Sequence, residues 1–209
     1  MIPDLKFETC ARQRGYKSIV GVDEVGKGPL AGPVVAAVVR LTSEKAPVKG
    51  VRDSKLLSEK KREAIFKRLT QSAHIVWHYG VVSVEEIDRD NIYQAARRAM
   101  ELALYQLAFK PEWVLIDGRS FREFPFPHEG IVKGDQLSYS IAAASIIAKV
   151  VRDRLMKEWH EQWPHYGFDQ HKGYGTPQHL EALKRYGPCP IHRKSFAPVS
   201  QLAQALPPQ

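Results

Sequence analysis

The chain of 209 residues contains few cysteines and no long apolar run. Its two cysteines, Cys10 and Cys189, lie near opposite ends, which excludes a disulfide framework or a paired-cysteine zinc site and fits a reducing compartment. No apolar run is long enough to cross a bilayer, and the first residues lack the basic and apolar segments of a signal peptide. We therefore expect a soluble, cytoplasmic protein without a membrane partner.

A phosphate-binding loop is present only in part. Residues 21–27, GVDEVGK, fit the opening of the GxxxxGK[ST] motif, but Gly28 stands where the hydroxyl that holds Mg²⁺ should follow. The loop would also place the carboxylates of Asp23 and Glu24 where phosphates should lie. The sequence therefore does not predict a nucleotide-binding loop of this kind.

What the sequence does contain is an excess of positive charge. There are 31 Lys and Arg against 23 Asp and Glu, a formal net charge of +8, which favours a polyanionic partner such as a nucleic acid. The hydrophobic fraction of 44% and the chain length are those of a globular protein with one sizeable core.

Strand-like apolar runs alternate with amphipathic helical segments along the chain. This order predicts an α/β fold in which helices flank a mixed five-stranded sheet, followed by a small C-terminal helical segment. The predicted strands are residues 19–25, 34–41, 74–82, 113–116 and 131–133, and the longer predicted helices begin near Ser58, Ile92, Leu137 and Pro177.

Acidic residues lie at the ends of three predicted strands: Asp23 and Glu24 at the first, Asp117 at the fourth and Asp135 after the fifth. Sites in open α/β sheets assemble at strand ends, and carboxylates that converge there repel one another unless a cation is present. Taken singly, Asp117 or Asp135 would be a helix cap or turn residue. Together the four acids predict a site for Mg²⁺ or Mn²⁺, with two ions serving a phosphoryl displacement.

The adjacent positions of Asp23 and Glu24 raise a geometric problem. Neighbouring residues of a regular strand point to opposite faces, so both carboxylates could not reach one metal. Because Gly26 and Gly28 follow closely, we expect the strand to end or bulge at the acid pair.

Several blocks of the sequence resemble bacterial ribonuclease HII, in the same order and over about residues 19–199. They are GVDEVGKGPLAGPVVAA, DSKLLSEKKR, VLIDGR, VKGDQ, AAASIIAKVVRDRLM, YGFDQHKGYGTPQH and HRKSF. The resemblance implies a ribonuclease H-like fold and a Mg²⁺- or Mn²⁺-dependent endonuclease. Such an enzyme would hydrolyse the RNA of RNA–DNA hybrids and nick 5′ of single ribonucleotides in duplex DNA, leaving a 3′-hydroxyl and a 5′-phosphate. We further expect an N-terminal arm (1–18), a catalytic core (19–162) and a C-terminal substrate-contacting segment packed on the core (163–209).

The resemblance assigns roles to individual residues. The four acids of the family fall on Asp23, Glu24, Asp117 and Asp135, and its 2′-hydroxyl-sensing Gly-Arg-Gly turn falls on Gly26, Lys27 and Gly28. Lysine in place of arginine would turn a bidentate phosphate contact into a point charge, while backbone recognition should survive. The junction-sensing tyrosine falls on Tyr174, and the basic residues in matching blocks that could bind phosphates are Lys55, Lys149 and Lys172.

The sequence also bears on the partners of the protein and leaves two alternative functions open. We expect a monomer, and residues 201–209, QLAQALPPQ, lack the aromatic pair of a sliding-clamp-binding peptide. A Holliday-junction resolvase or integrase-like enzyme is one alternative, and it would cut branched DNA without sensing a 2′-hydroxyl. A basic RNA- or hybrid-binding protein with degenerate acids is the other, and it would show no Mg²⁺-dependent turnover.

Overall fold

The computed structural model describes residues 2–43 and 47–205, and these residues contain one mixed sheet of five strands in the order β3-β2-β1-β4-β5. The strands are β1 (Ile19–Val25), β2 (Val34–Leu41), β3 (Ile75–Val82), β4 (Trp113–Asp117) and β5 (His128–Ile131). β1, β2 and β3 pair antiparallel in sequence order, whereas β4 pairs parallel with both β1 and β5. The predicted α/β fold with a mixed five-stranded sheet is confirmed.

Helices cover both faces of this sheet. They are α1 (Lys6–Gln13), α2 (Glu59–Thr70), α3 (Val84–Asp90), α4 (Ile92–Tyr105), α5 (Gly134–Leu137), α6 (Tyr139–Gln162), α7 (Phe168–His171), α8 (Pro177–Tyr186) and α9 (Val199–Ala205). None of the helices described is long and apolar enough to cross a membrane.

The run VVAAVV in β2 shows why both faces need a cover. Val34, Ala36 and Val38 pack with α4, whereas the alternate residues Val35, Ala37 and Val39 pack with α6. Successive strand side chains point to opposite faces, so an unbroken apolar run is what a doubly covered strand requires. The sheet is therefore the middle layer of a three-layer sandwich.

The N-terminal end of α6 lies directly on β1. A Cβ atom on Gly21 would be 2.4 Å from the backbone nitrogen of Ile141, so only glycine permits this approach. Glu8 of α1 fixes the same end, because its Oε1 accepts hydrogen bonds from the hydroxyls of Ser138 (2.7 Å) and Ser140 (2.6 Å). These contacts place the first turn of α6 on β1, two residues before Asp23.

Two local expectations are wrong. β1 does not end or bulge at the acid pair, since Asp23 pairs with Ala37 and Glu24 with Ala36 in regular register, and β2 supplies partners as far as Val25. The fifth strand occupies His128–Ile131 rather than residues 131–133, because Lys133 adopts a left-handed conformation (φ 59°) that turns the chain into α5.

Candidate active site

Three of the predicted acids meet at one edge of the sheet. One carboxylate oxygen from each of Asp23, Asp117 and Asp135 lies within 4.8 Å of the others. The parallel register pairs Val22 with Ile116, so Asp23 and Asp117 are the next residues on adjacent strands and share the face that α6 covers. Asp135 comes from α5, whose position is set by the turn at the end of β5.

Mutual repulsion and burial shape the electrostatics of this cluster. Burial raises the pKa of Asp23 well above its ordinary value, and the charges of Glu24, Asp117 and Asp135 raise it further. The pKa of Asp135 is raised to about 6, first by burial and then by the charges of Asp117 and Asp53. A divalent cation between the carboxylates would relieve this repulsion, so an all-oxygen, acidic donor set fits Mg²⁺ or Mn²⁺.

Glu24 lies beside the cluster rather than within it. Strand alternation directs its side chain to the opposite face from Asp23, and its carboxylate forms an ion pair with the ammonium group of Lys27. Burial raises the pKa of Glu24, while Lys27 lowers it and the charge of Asp117 raises it. Glu24 therefore shares the electrostatic field of the aspartates although its carboxylate is held by Lys27.

The glycine turn follows these acids directly. Gly26 has φ +98°, and the Tyr174 ring lies beside Gly28, with Cε1 3.8 Å from where a Gly28 Cβ would be. Tyr174 is 42% exposed. The structure thus brings the predicted turn and the predicted aromatic residue together, a few residues along the chain from Asp23.

The three predicted phosphate-binding lysines differ in environment. Lys55 is exposed, and its Nζ lies 3.8 Å from Oδ2 of Asp135. Lys149 is 17% exposed and donates to Asp153 at 2.6 Å, and buried Lys172 donates to the carbonyl of Asp169. Lys55 therefore lies at the aspartate cluster, while Lys149 and Lys172 are engaged by internal partners.

Sequence reasoning missed a chain of hydrogen bonds behind Tyr174. The N–H of Cys189 donates to Nδ1 of His192 (2.9 Å), so Nε2 of His192 carries the proton and donates to Nε2 of His179 (3.0 Å). Nδ1 of His179 then donates to the carbonyl of Tyr174 (2.9 Å). Burial lowers the pKa of His179 to about 4 and that of His192 to about 3, which keeps both rings neutral at pH 7.

Asp53 was also missed. Its carboxylate accepts from the N–H of Lys55 (2.9 Å) and from the Gln136 side chain (3.3 Å), so it fixes the loop that carries Lys55 next to Asp135. The block DSKLLSEKKR contains this residue, but the sequence gives no sign of the contact with Gln136.

Three features of the structure define a class of protein: the mixed sheet, the aspartates at the ends of adjacent central strands, and the helix that packs directly on the first strand. It is the class of divalent-metal-dependent nucleases with a ribonuclease H-like fold. Comparison with known proteins narrows this class. The profile of the family described as Ribonuclease HII matches residues 20–199, and the chain belongs to the ribonuclease HII family.

Individual relatives agree with this assignment. The chain is 52% identical to ribonuclease HII of Acholeplasma laidlawii over 201 residues, 96% of this chain and 98% of the relative. The structure of ribonuclease H2 from Pyrococcus horikoshii superimposes with a TM-score of 0.75 at 26% identity, covering 90% of this chain and 98% of that one. Ribonuclease HII of Archaeoglobus fulgidus, solved in a complex with PCNA, gives a TM-score of 0.73 at 27% identity over 86% and 95% of the two chains.

Family membership confirms the resemblance seen in the sequence blocks. The protein is accordingly a divalent-metal-dependent endoribonuclease that acts on RNA–DNA hybrids.

Proposed function

We propose that the protein, besides hydrolysing the RNA strand of hybrids, nicks duplex DNA on the 5′ side of a single embedded ribonucleotide. The products would carry a 3′-hydroxyl and a 5′-phosphate. The observation that carries this proposal is that the ring of Tyr174 lies beside Gly28 of the glycine turn, which begins three residues after Asp23 of the aspartate cluster. One residue of the cleavage centre and the backbone donors for the sugar would then lie within a few residues of each other along the chain.

The aspartates supply the metal site in this proposal. Asp23, Asp117 and Asp135, with Glu24 beside them, would hold two Mg²⁺ or Mn²⁺ ions. Bound there, the ions would supply a water nucleophile and charge stabilisation of the leaving 3′-oxygen for an in-line displacement at phosphorus. Asp23 and Asp135 are both buried, so a bound cation would compensate carboxylates that have little contact with solvent.

The glycine turn supplies ribose recognition. The backbone N–H groups of Lys27 and Gly28 have no hydrogen-bond partner among the described residues, so both can donate to a ligand. A 2′-hydroxyl is the group that distinguishes RNA from DNA, and backbone donors can bind it without a side chain. The exposed ring of Tyr174 would stack on the next deoxyribose, and Lys55 would contact a phosphate near Asp135.

The C-terminal segment, the cellular compartment and the partners of the enzyme are also part of the proposed function. Residues 163–209 would contact substrate while packed on the core, and this is supported by Tyr174 and by the hydrogen bonds of Arg193 to the glycine turn. Cys10 and Cys189 are both free, which supports action in the cytoplasm. We propose a monomer that binds no sliding clamp through its tail, of which residues 206–209 lie outside the described residues.

The test uses three DNA substrates with Mg²⁺ or Mn²⁺: an all-DNA duplex, the same duplex with one ribonucleotide, and a four-way junction. We expect cleavage of the second substrate alone, at the phosphodiester 5′ of the ribonucleotide. Cleavage of the junction would favour the resolvase alternative. A long RNA–DNA hybrid, assayed in parallel, shows that the preparation is active. Hydrolysis of this hybrid without any nick at the single ribonucleotide would refute the proposal.

A further inference from the structure

Two buried arginines lie behind the glycine turn. Arg152 of α6 and Arg193 of the C-terminal segment are both fully buried. No carboxylate among the described residues forms a salt bridge with either one. Burial lowers the pKa of Arg152 to about 10 and that of Arg193 to about 9, so both remain cations at neutral pH. Buried charges without ionic partners require compensation from well-placed dipoles.

Backbone carbonyl oxygens of the turn provide this compensation. Arg193 donates to four of them: Nη2 to Gly26 (2.5 Å), Nη1 to Lys27 (3.1 Å), Nε to Gly32 (2.9 Å) and Nη2 to Pro33 (3.3 Å). The guanidinium group of Arg193 therefore binds both the beginning and the end of the segment 26–33.

Arg152 extends this network to the loop that carries Tyr174. Its Nε donates to Pro33 (2.9 Å), its Nη2 to Ala31 (3.0 Å) and its Nη1 to the carbonyl of Lys172 (2.9 Å). One side chain thus joins the turn to the segment just before Tyr174. Separately, Leu30 donates its N–H to the carbonyl of Gly173 at 2.8 Å.

The direction of these hydrogen bonds determines what the turn offers to a ligand. With the carbonyls of Gly26 and Lys27 directed inward at Arg193, the following N–H groups of Lys27 and Gly28 are left without a partner among the described residues. There is no spare room in this arrangement, because a Cβ atom on Gly26 would lie 2.5 Å from Nε of Arg152.

We propose that Arg152 and Arg193 are positioning residues for ribonucleotide selection, which hold the donor groups of the turn and the ring of Tyr174 at a fixed spacing. This inference rests on the proposed function of the turn. Neither side chain touches substrate, and their effect is exerted through backbone carbonyls. Because cleavage in a long hybrid offers ribonucleotides at every position, loss of the fixed spacing should affect the isolated ribonucleotide most.

The first test compares Arg193→Lys and Arg152→Lys with Arg154→Lys. Arg154 is an exposed residue of the same helix α6 that pairs with Glu63, so its variant is the matched control. A lysine keeps the charge but cannot bind several carbonyls in a plane. For both buried variants we expect kcat/KM on a single-ribonucleotide duplex to fall about 10-fold to 100-fold, against less than about threefold on a long hybrid. Equal losses on both substrates, or losses no larger than those of Arg154→Lys, would overturn the proposal.

A second test needs no variant. In the full-length wild-type enzyme, amide hydrogen exchange followed by NMR should be fast at Lys27 and Gly28 and slow at Leu30 and Gly32, whose N–H groups bond to Gly173 and Ile191. Protection of Lys27 and Gly28 equal to that of Leu30 and Gly32 would contradict the inward carbonyl arrangement. Should the wild type fail to nick a single ribonucleotide, the proposed function fails, and this exchange pattern still tests whether the carbonyls of the turn are directed inward at Arg193.

Discussion

Gly26 offers a sharp test of how tightly the glycine turn is packed, because Gly15 provides a matched control. Both residues have φ +98°. A Cβ atom added to Gly15 would meet nothing within 4 Å, whereas one added to Gly26 would lie 2.5 Å from Nε of Arg152 and 2.6 Å from the carbonyl oxygen of Pro33. The two alanine variants therefore share the backbone strain and differ in the steric conflict.

Backbone strain and steric conflict set the expected loss of folding free energy for each variant. Gly15→Ala should lower the free energy of unfolding by about 1–2 kcal/mol, the cost of a left-handed conformation for a residue with a Cβ. Gly26→Ala carries the same cost plus about 1–3 kcal/mol for displacing a buried, hydrogen-bonded arginine and a backbone carbonyl. At about 2–4 °C per kcal/mol for a chain of this size, the difference between their melting temperatures should be several degrees.

Urea unfolding of both variants and the wild type, followed by circular dichroism, measures these losses. Cleavage of a single-ribonucleotide duplex at a temperature where all three are folded gives a second readout. We expect activity to be lost in Gly26→Ala and kept in Gly15→Ala. Equal losses of stability in the two variants would refute the reasoning, because the arginine contact would then contribute nothing.

Three further predictions concern other parts of the molecule. The rings of His179 and His192 should each lower stability by up to about 1.4 kcal/mol per pH unit as the pH falls from 6.5 to about 4, since unfolded histidines bind protons that the buried rings reject. The raised pKa values of Asp23 and Asp135 act in the opposite direction over part of this range. Denaturant titrations of the wild type and of His179→Gln at several pH values isolate the contribution of the ring, because the variant removes one histidine and leaves the aspartates in place; equal pH dependence of the two proteins would contradict it. Lys27→Arg should lower KM for a ribonucleotide-containing duplex about fivefold by adding a bidentate phosphate contact, and an unchanged KM in steady-state assays would show that no phosphate lies there. Lys55→Ala should weaken duplex binding and reduce its salt dependence by about one counterion. Lys149→Ala should instead lower the melting temperature, because it removes a partner of Asp153. Weaker duplex binding by Lys149→Ala and a lower melting temperature of Lys55→Ala would contradict the roles given to the two lysines.

The sequence predicts those features that depend on local pattern. The unbroken apolar run of β2 is enough to place it between two helical layers, and acids at the ends of strands are enough to bring Asp23, Asp117 and Asp135 together. Glu24 could not be placed from the sequence, because whether a strand ends at an acid pair depends on how far its neighbour supplies hydrogen-bond partners. The hydrogen bonds of Arg193 to the glycine turn could not be predicted either. Arg193 and Gly26 are 167 residues apart, and the acceptors are backbone carbonyls, which every residue has. The histidine chain behind Tyr174 depends in the same way on contacts between distant segments.

Asp117→Asn tests most directly whether the aspartate cluster is the catalytic metal centre. Asp117 ends β4 beside Asp23 and contributes one of the three clustered oxygens, and asparagine keeps the shape of the side chain while removing its charge. Glu158→Gln, on the exposed side of α6, is the control. With Mg²⁺ or Mn²⁺ and a duplex that carries one ribonucleotide, we expect Asp117→Asn to bind the duplex as the wild type does and to show no cleavage, while the control cleaves normally. Cleavage by Asp117→Asn at a rate near that of the wild type would contradict the assignment of the metal centre.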